Sequence, residues 1–128
     1  MSETSVAVVL RGADLFNLGD VDAMMQLWHP ESVYVDHRPI GWETMDRDQV
    51  RELNLSAFAV VRDVRRDTTI VAHPADCVVA VVRFHGHATD GGGEVERGYA
   101  EVTRVLDGLI FRRDIYADIE DALASVQP

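Results

Sequence analysis

Three turn signals in the second half of this chain restrict its fold more than any other feature. Asp90-Gly91-Gly92-Gly93 and Asp107-Gly108 are hairpin sequences, and Pro74-Ala75-Asp76 is a third break. Between and around them lie segments rich in strand formers, at residues 64–73, 77–89, 94–106 and 109–117. Tight turns join antiparallel neighbours and leave no room for crossover helices. The expected result is a meander of long strands, with any helices supplied from elsewhere.

The first half supplies them. Over residues 4–18, Val6, Val9, Leu10, Ala13, Leu15, Phe16 and Leu18 recur at helical spacing. Gly19 stops that helix, and Asp20 can cap a second one running from Val21 to Trp28, ended by Pro30. Residues 32–37 read as a strand, and residues 38–45, with Pro39 and Gly41, as a loop. Asp46 or Asp48 starts a third helix reaching about Val61, with apolar positions at Val50, Leu53, Leu55, Ala57, Phe58 and Val61. Residues 118–125 read as a short terminal helix or tail. Helices segregated from a mostly antiparallel sheet define an α+β fold. The expected architecture is a single domain over residues 1–128, long curved strands with helices across one face that enclose a pocket.

Composition narrows the function classes. At 128 residues and 47% hydrophobic, the chain can bury a core without staples. Its formal charge of −10, from 12 Lys+Arg against 22 Asp+Glu, opposes nucleic acid and anionic membrane surfaces as partners. Arg62, Arg65 and Arg66 form no basic cluster, because Asp63 and Asp67 interleave with them. The lone Cys77 excludes an internal disulfide and a cysteine zinc site; it opens an apolar run and reads as a small core residue. With no apolar run of membrane-spanning length and no leader-like start, the expected location is cytoplasmic.

The polar residues fall into rows, because strand side chains alternate with period two. Tyr34 shares a face with Asp36. Glu101 shares one with Tyr99 and Thr103; Arg112, Asp114 and Tyr116 form another. Inward, the last two rows would line a pocket with acids, an arginine and tyrosines. Outward, they would form a solvated face or a dimer interface, and alternation alone does not choose. His85 and His87 share a face with Arg83. As a pair they are too few to indicate a metal, but His85 is a candidate acid–base group. Asp90–Gly93 lacks the lysine and the strand-to-helix setting of a phosphate loop. Trp28 reads as core, and Trp42 as a lid or plug at a pocket mouth.

The order of elements, together with Phe16-Asn17-Leu18-Gly19-Asp20-Val21-Asp22-Ala23, resembles the nuclear-transport-factor-like superfamily in its SnoaL-like branch. Leu27-Trp28-His29-Pro30-Glu31-Ser32-Val33 matches the entry to its first strand. Tyr99-Ala100-Glu101-Val102-Thr103-Arg104, Asp107-Gly108-Leu109-Ile110 and Asp114-Ile115-Tyr116-Ala117-Asp118 match its closing signature. The resemblance implies a cone-shaped, curved, mostly antiparallel sheet with three N-terminal helices packed over its concave face (a cystatin-like α+β barrel), a homodimer formed through the sheet, no cofactor, and an apolar cone with a few acid–base groups at its base.

Within that branch, the likeness to ketosteroid isomerase puts Asp36 where the general-base aspartate lies and Glu101 near the protonated acid. The first helix carries no hydroxyl at Gly12 or Phe16 to complete an oxyanion hole. Two functions follow as expectations. The first is a cofactor-free acid–base enzyme of the isomerase, cyclase, dehydratase or epoxide hydrolase type, acting on a small hydrophobic or polyketide-like compound. Asp36, Glu101 and His85 would be catalytic, and Tyr34, Trp42, Tyr99, Arg112, Asp114 and Tyr116 would bind substrate. The second is a non-catalytic ligand-binding or dimerisation domain. An open cone with Asp36 unpaired favours the enzyme. A cone filled by Trp42 and Phe58, with Asp36 locked to Arg38 or Arg112, favours the binding domain.

Overall fold

The computed structural model describes residues 2–39 and 43–127. Helix α1 (Ser2–Asn17) turns Val9, Ala13 and Phe16 inward along one stripe. Gly19 follows with φ of 75°, a left-handed conformation that costs glycine little. Asp20 then caps α2 (Val21–Met25), its carboxylate accepting the Ala23 N–H at 3.0 Å. This helix is shorter than its sequence suggests. Trp28 opens strand β1 (Trp28–Asp36) instead of closing a helix, because it pairs with Ile110 across the sheet. His29 therefore lies in a strand, where its Nδ1 accepts the Glu31 N–H.

A two-residue strand, β2 (Thr44–Met45), pairs with β1, within a segment the sequence reads as loop. Asp46 and Gln49 form a reciprocal capping box at the start of α3 (Arg47–Val60). The meander follows as β3 (Val61–Ala72), β4 (Cys77–Ala88), β5 (Glu94–Leu106) and β6 (Leu109–Tyr116), and α4 (Ile119–Ser125) closes the described chain. Among the described residues no helix is long and apolar enough to cross a membrane.

The strands form one open, curved sheet in the order β2-β1-β6-β5-β4-β3. All neighbours are antiparallel except β1 and β6, which run parallel. The three N-terminal helices cover the concave face, over a core that includes Phe16, Met24, Met25, Trp28, Val50, Ile110 and Ile115. Phe58 packs against Phe16, with ring centroids 4.9 Å apart, and fills part of the cone. Helix α4 lies on the convex face, over a smaller cluster of Val79, Ala100, Val102 and Ala122 with Cys77 at its margin.

Two of the sheet's irregularities bear on the site. Strand β3 is bulged between Arg62 and Arg65, where Asp63 takes φ of 53°, and Gly86 of β4 lies under the bulge. Just beyond it, the Asn17 side chain donates to the Arg66 carbonyl at 3.0 Å and accepts the Arg66 N–H at 2.7 Å. The amide thus pairs with the edge of β3 as a neighbouring strand would, and ties α1 to the sheet. The second lies opposite the Arg104–Val105 step of β5, where Phe111 of β6 is an extra residue, and it sets which residues of β6 face inward.

Candidate functional site

Residues opposite one another in a sheet share a face. Glu101 sits opposite Ile115 and Ala80, and Thr103 opposite Arg113 and Val78. All of these turn to the concave side. The two polar rows of the sequence therefore separate. Tyr99, Glu101 and Thr103 face the cone. Arg112, Asp114 and Tyr116 face outward on the convex surface, and Arg113 takes the inward place on β6. His85 also points outward, near the β4–β5 hairpin, where its Nε2 meets Asp67 at 3.0 Å. The expectation that Arg112, Asp114 and Tyr116 bind substrate in the cone, with His85 catalytic there, is corrected by this register. Trp42 lies outside the described residues.

The cone holds a cavity of about 70 Å³ between α1, α2, α3 and the sheet, lined by Trp28, Tyr34, Asn54, Arg66, Tyr99, Glu101 and Arg113 among others. Its centre is a buried ion cluster. Arg66 donates through Nη2 to Glu101 Oε1 at 2.5 Å and through Nε to Thr68. Arg113 lies 3.5 Å from Glu101 Oε2, donates its Nε–H to the Thr103 hydroxyl at 2.9 Å, and stacks its guanidinium over Trp28 at 5.1 Å. Glu101 is 1% exposed, Arg113 7% and Arg66 9%.

Burial alone would push the Glu101 carboxyl up. The guanidiniums of Arg113 and Arg66 outweigh it and hold the group below its ordinary value, so Glu101 is ionised at neutral pH. Burial pulls the Arg113 guanidinium down, with Arg66 adding like-charge repulsion. Burial raises both Tyr34 and Tyr99, which keeps their hydroxyls protonated. Neither hydroxyl has a partner among the described residues. The Glu101 Oε2 atom is buried without a hydrogen bond.

Asp36 is buried at the end of β1, on the same face as Tyr34, and it is not open. Arg38 closes over it, donating its backbone N–H and its Nε–H to Oδ1 at 2.9 and 3.0 Å and Nη2–H to Oδ2 at 2.8 Å. The Arg38 guanidinium also lies 5.0 Å above the Tyr99 ring. This bidentate clamp raises Arg38 above its ordinary value through the hydrogen bonds to Asp36. Three of the carboxylate's roughly four lone-pair sites are engaged in this way.

The convex face has a polar centre of its own. Asp114 accepts from Arg112 at 2.9 and 3.0 Å and from Arg104 at 3.3 Å, and His37 Nε2 lies 2.9 Å away. The His37 ring stacks on Tyr116 at 4.5 Å. Burial would raise the Asp114 carboxyl, but the bonds from Arg112 and His37 hold it below its ordinary value. Its contribution to stability is therefore present above about pH 3.9, the unfolded value, and lost as pH falls below it. Water screens Arg112 and His37, which are 43% and 39% exposed, so Asp114→Asn should cost only about 1 kcal/mol at pH 7. Urea denaturation from pH 7 to 3 checks this; a loss as large at pH 3 as at pH 7 would contradict it.

Sequence reasoning overlooked Arg66 and Arg113. The signal for Arg66 was its spacing from Val64, which places both on the buried side of β3. The signal for Arg113 was hidden by an extra residue on β6, Phe111, which shifts its register against β5.

The fold recurs in solved proteins. AclR from Streptomyces galilaeus superposes with a TM-score of 0.79 at 15% identity, over 100% of this chain and 89% of that one. AusH from Aspergillus nidulans gives 0.78 at 13%, over 92% and 86%. A protein with a ketosteroid isomerase-like fold from Catenulispora acidiphila, in complex with trimethylamine, gives 0.73 at 21%, over 91% and 89%. At these identities the likeness shows the fold alone. No match was found among curated proteins. The SnoaL-like domain family matches residues 9–113, from the middle of α1 to the inward arginine of β6, and the chain belongs to that family.

Proposed function

We propose that this chain binds a small oxygen-bearing compound in its cone and does not use Asp36 as a general base. The observation that carries this reading is the clamp of Arg38 on Asp36, which engages both carboxylate oxygens. A general base needs a lone pair within reach of the proton it removes. The small cavity and the packing of Phe58 against Phe16 support the same reading, since a polyketide-sized ligand needs several hundred Å³. What remains is a wall of donors, with Tyr34, Tyr99 and Arg113 able to hold an oxygen atom.

One observation favours a second reading. Glu101 is ionised, and its Oε2 accepts no hydrogen bond although the Arg113 guanidinium lies 3.5 Å away. In a proton-transfer enzyme it would take a proton from carbon next to a carbonyl. The C–H electron pair would pass to the carbonyl oxygen, and the enolate would rest against the tyrosine hydroxyls and Arg113. Its low pKa makes it a weak base for that step. The two readings separate by hydrogen–deuterium exchange of enolisable ketones and oxo acids in D₂O, followed by proton NMR. The binding reading expects wild type and Asp36→Asn to exchange no faster than buffer. Exchange at least tenfold above buffer that Glu101→Gln abolishes would replace it with the second reading.

A further inference from the structure

The described cavity wall carries an excess positive charge. Arg66 and Arg113 face one carboxylate, Glu101, while Asp36 and Arg38 cancel. The remaining polar groups are donors. Arg113 uses only Nε–H within the protein, which leaves the N–H groups of its two terminal nitrogens without a partner among the described residues. The Tyr34 and Tyr99 hydroxyls also lack a partner there. Against them stands a single unsatisfied acceptor, Glu101 Oε2. A buried cluster of this kind contributes little to stability relative to apolar packing of the same volume. A buried acceptor left without a donor calls for an explanation beyond the fold.

The geometry points to a small monoanionic carboxylate as the ligand, its oxygens taken by Arg113 and the two tyrosines, with a hydroxyl on the neighbouring carbon donating to Glu101 Oε2. One negative charge neutralises the wall, and a planar carboxylate suits the guanidinium fork. At about 10–15 Å³ of cavity volume per water-sized group, the cavity admits a compound of roughly five to seven non-hydrogen atoms. This inference rests on the cone being a binding site, as proposed above.

The test titrates the protein with glycolate, acetate and their uncharged amides, glycolamide and acetamide, monitoring Arg side-chain Nε–H signals by NMR. Glycolate is expected to bind at least tenfold more tightly than glycolamide, and more tightly than acetate, and to shift the Arg113 signal. Arg113→Met should abolish the preference for the anion. If that variant does not fold, Tyr34→Phe and Tyr99→Phe should each weaken glycolate several-fold while thermal denaturation shows an intact fold. Equal binding of acid and amide, or binding of neither, overturns the carboxylate assignment. Deuterium exchange measured in parallel keeps the two ideas apart. Turnover would overturn the binding-only reading and leave the anion preference standing. Tight amide binding would do the reverse.

Discussion

Glu101→Ala is expected to lower the free energy of unfolding by about 3–5 kcal/mol, the cost of breaking a buried ion pair by removing one partner. The substitution leaves Arg66 and Arg113 facing each other with no counter-ion, both nine-tenths buried or more. Neither can swing into water without emptying its place beside Thr68 or Thr103. Glu101→Gln should cost less, because its amide oxygen still accepts from Arg66. The pH dependence has a definite sign. The folded value of Glu101 is depressed, so its contribution is complete above about pH 4.3, the unfolded value, and is lost as pH falls through the folded one. Urea denaturation of wild type and variant between pH 7 and 3 measures both. A loss below about 1 kcal/mol at pH 7 would show that the arginines find other partners, and the charge count behind the proposed ligand would fail with it.

Gly86→Ala is expected to cost about 3 kcal/mol, at the upper end of overpacking penalties. A Cβ there would collide with Val61 Cγ1 and stand 2.9 Å from the Arg62 carbonyl oxygen and 3.1 Å from Val64 Cα. Two of these three neighbours are backbone atoms of the β3 bulge, which cannot rotate aside. The bulge would have to lift, and Arg66 lies just beyond it. Thermal and urea unfolding measure the cost; a change under about 0.5 kcal/mol would mean that the bulge yields freely.

Much of this architecture was legible because it rests on local chemistry. The turns at Asp90–Gly93 and Asp107-Gly108 demand glycine or aspartate, and the caps at Asp20 and Asp46 demand a short acceptor. The start of β1 was misplaced because Trp28 fits the helical stripe of α2 as well as a strand. Its pairing with Ile110, far along the chain, decides the matter.

The site was legible only in part, for a reason of register. Counting back from Leu106 opposite Leu109 with no irregularity would set Glu101 opposite Asp114. The irregularity between Arg104 and Val105 adds one residue, so Ile115 takes that place and Arg113 enters the cone. Glu101 and Tyr99 are unaffected, because β4 and β5 pair without interruption. For Asp36 the sequence showed the neighbour that disarms it, Arg38, but not that the two would close on each other.

The parallel pairing of β1 with β6 has a consequence for the order in which the molecule is made. Tyr34 and Arg113 are neighbours in the sheet, and His37 meets Asp114 across 77 positions of chain. As the chain leaves the ribosome, β1 emerges early with its central partner absent. Its apolar residues wait until the last strand is made. Closure of so long a loop is slow, and an unpaired strand edge invites misassembly meanwhile. Helices α1 and α2 are made before β1 and α3 soon after it, all ahead of β6. By covering its inward face they can shelter the strand until β6 arrives to complete the wall of the cone.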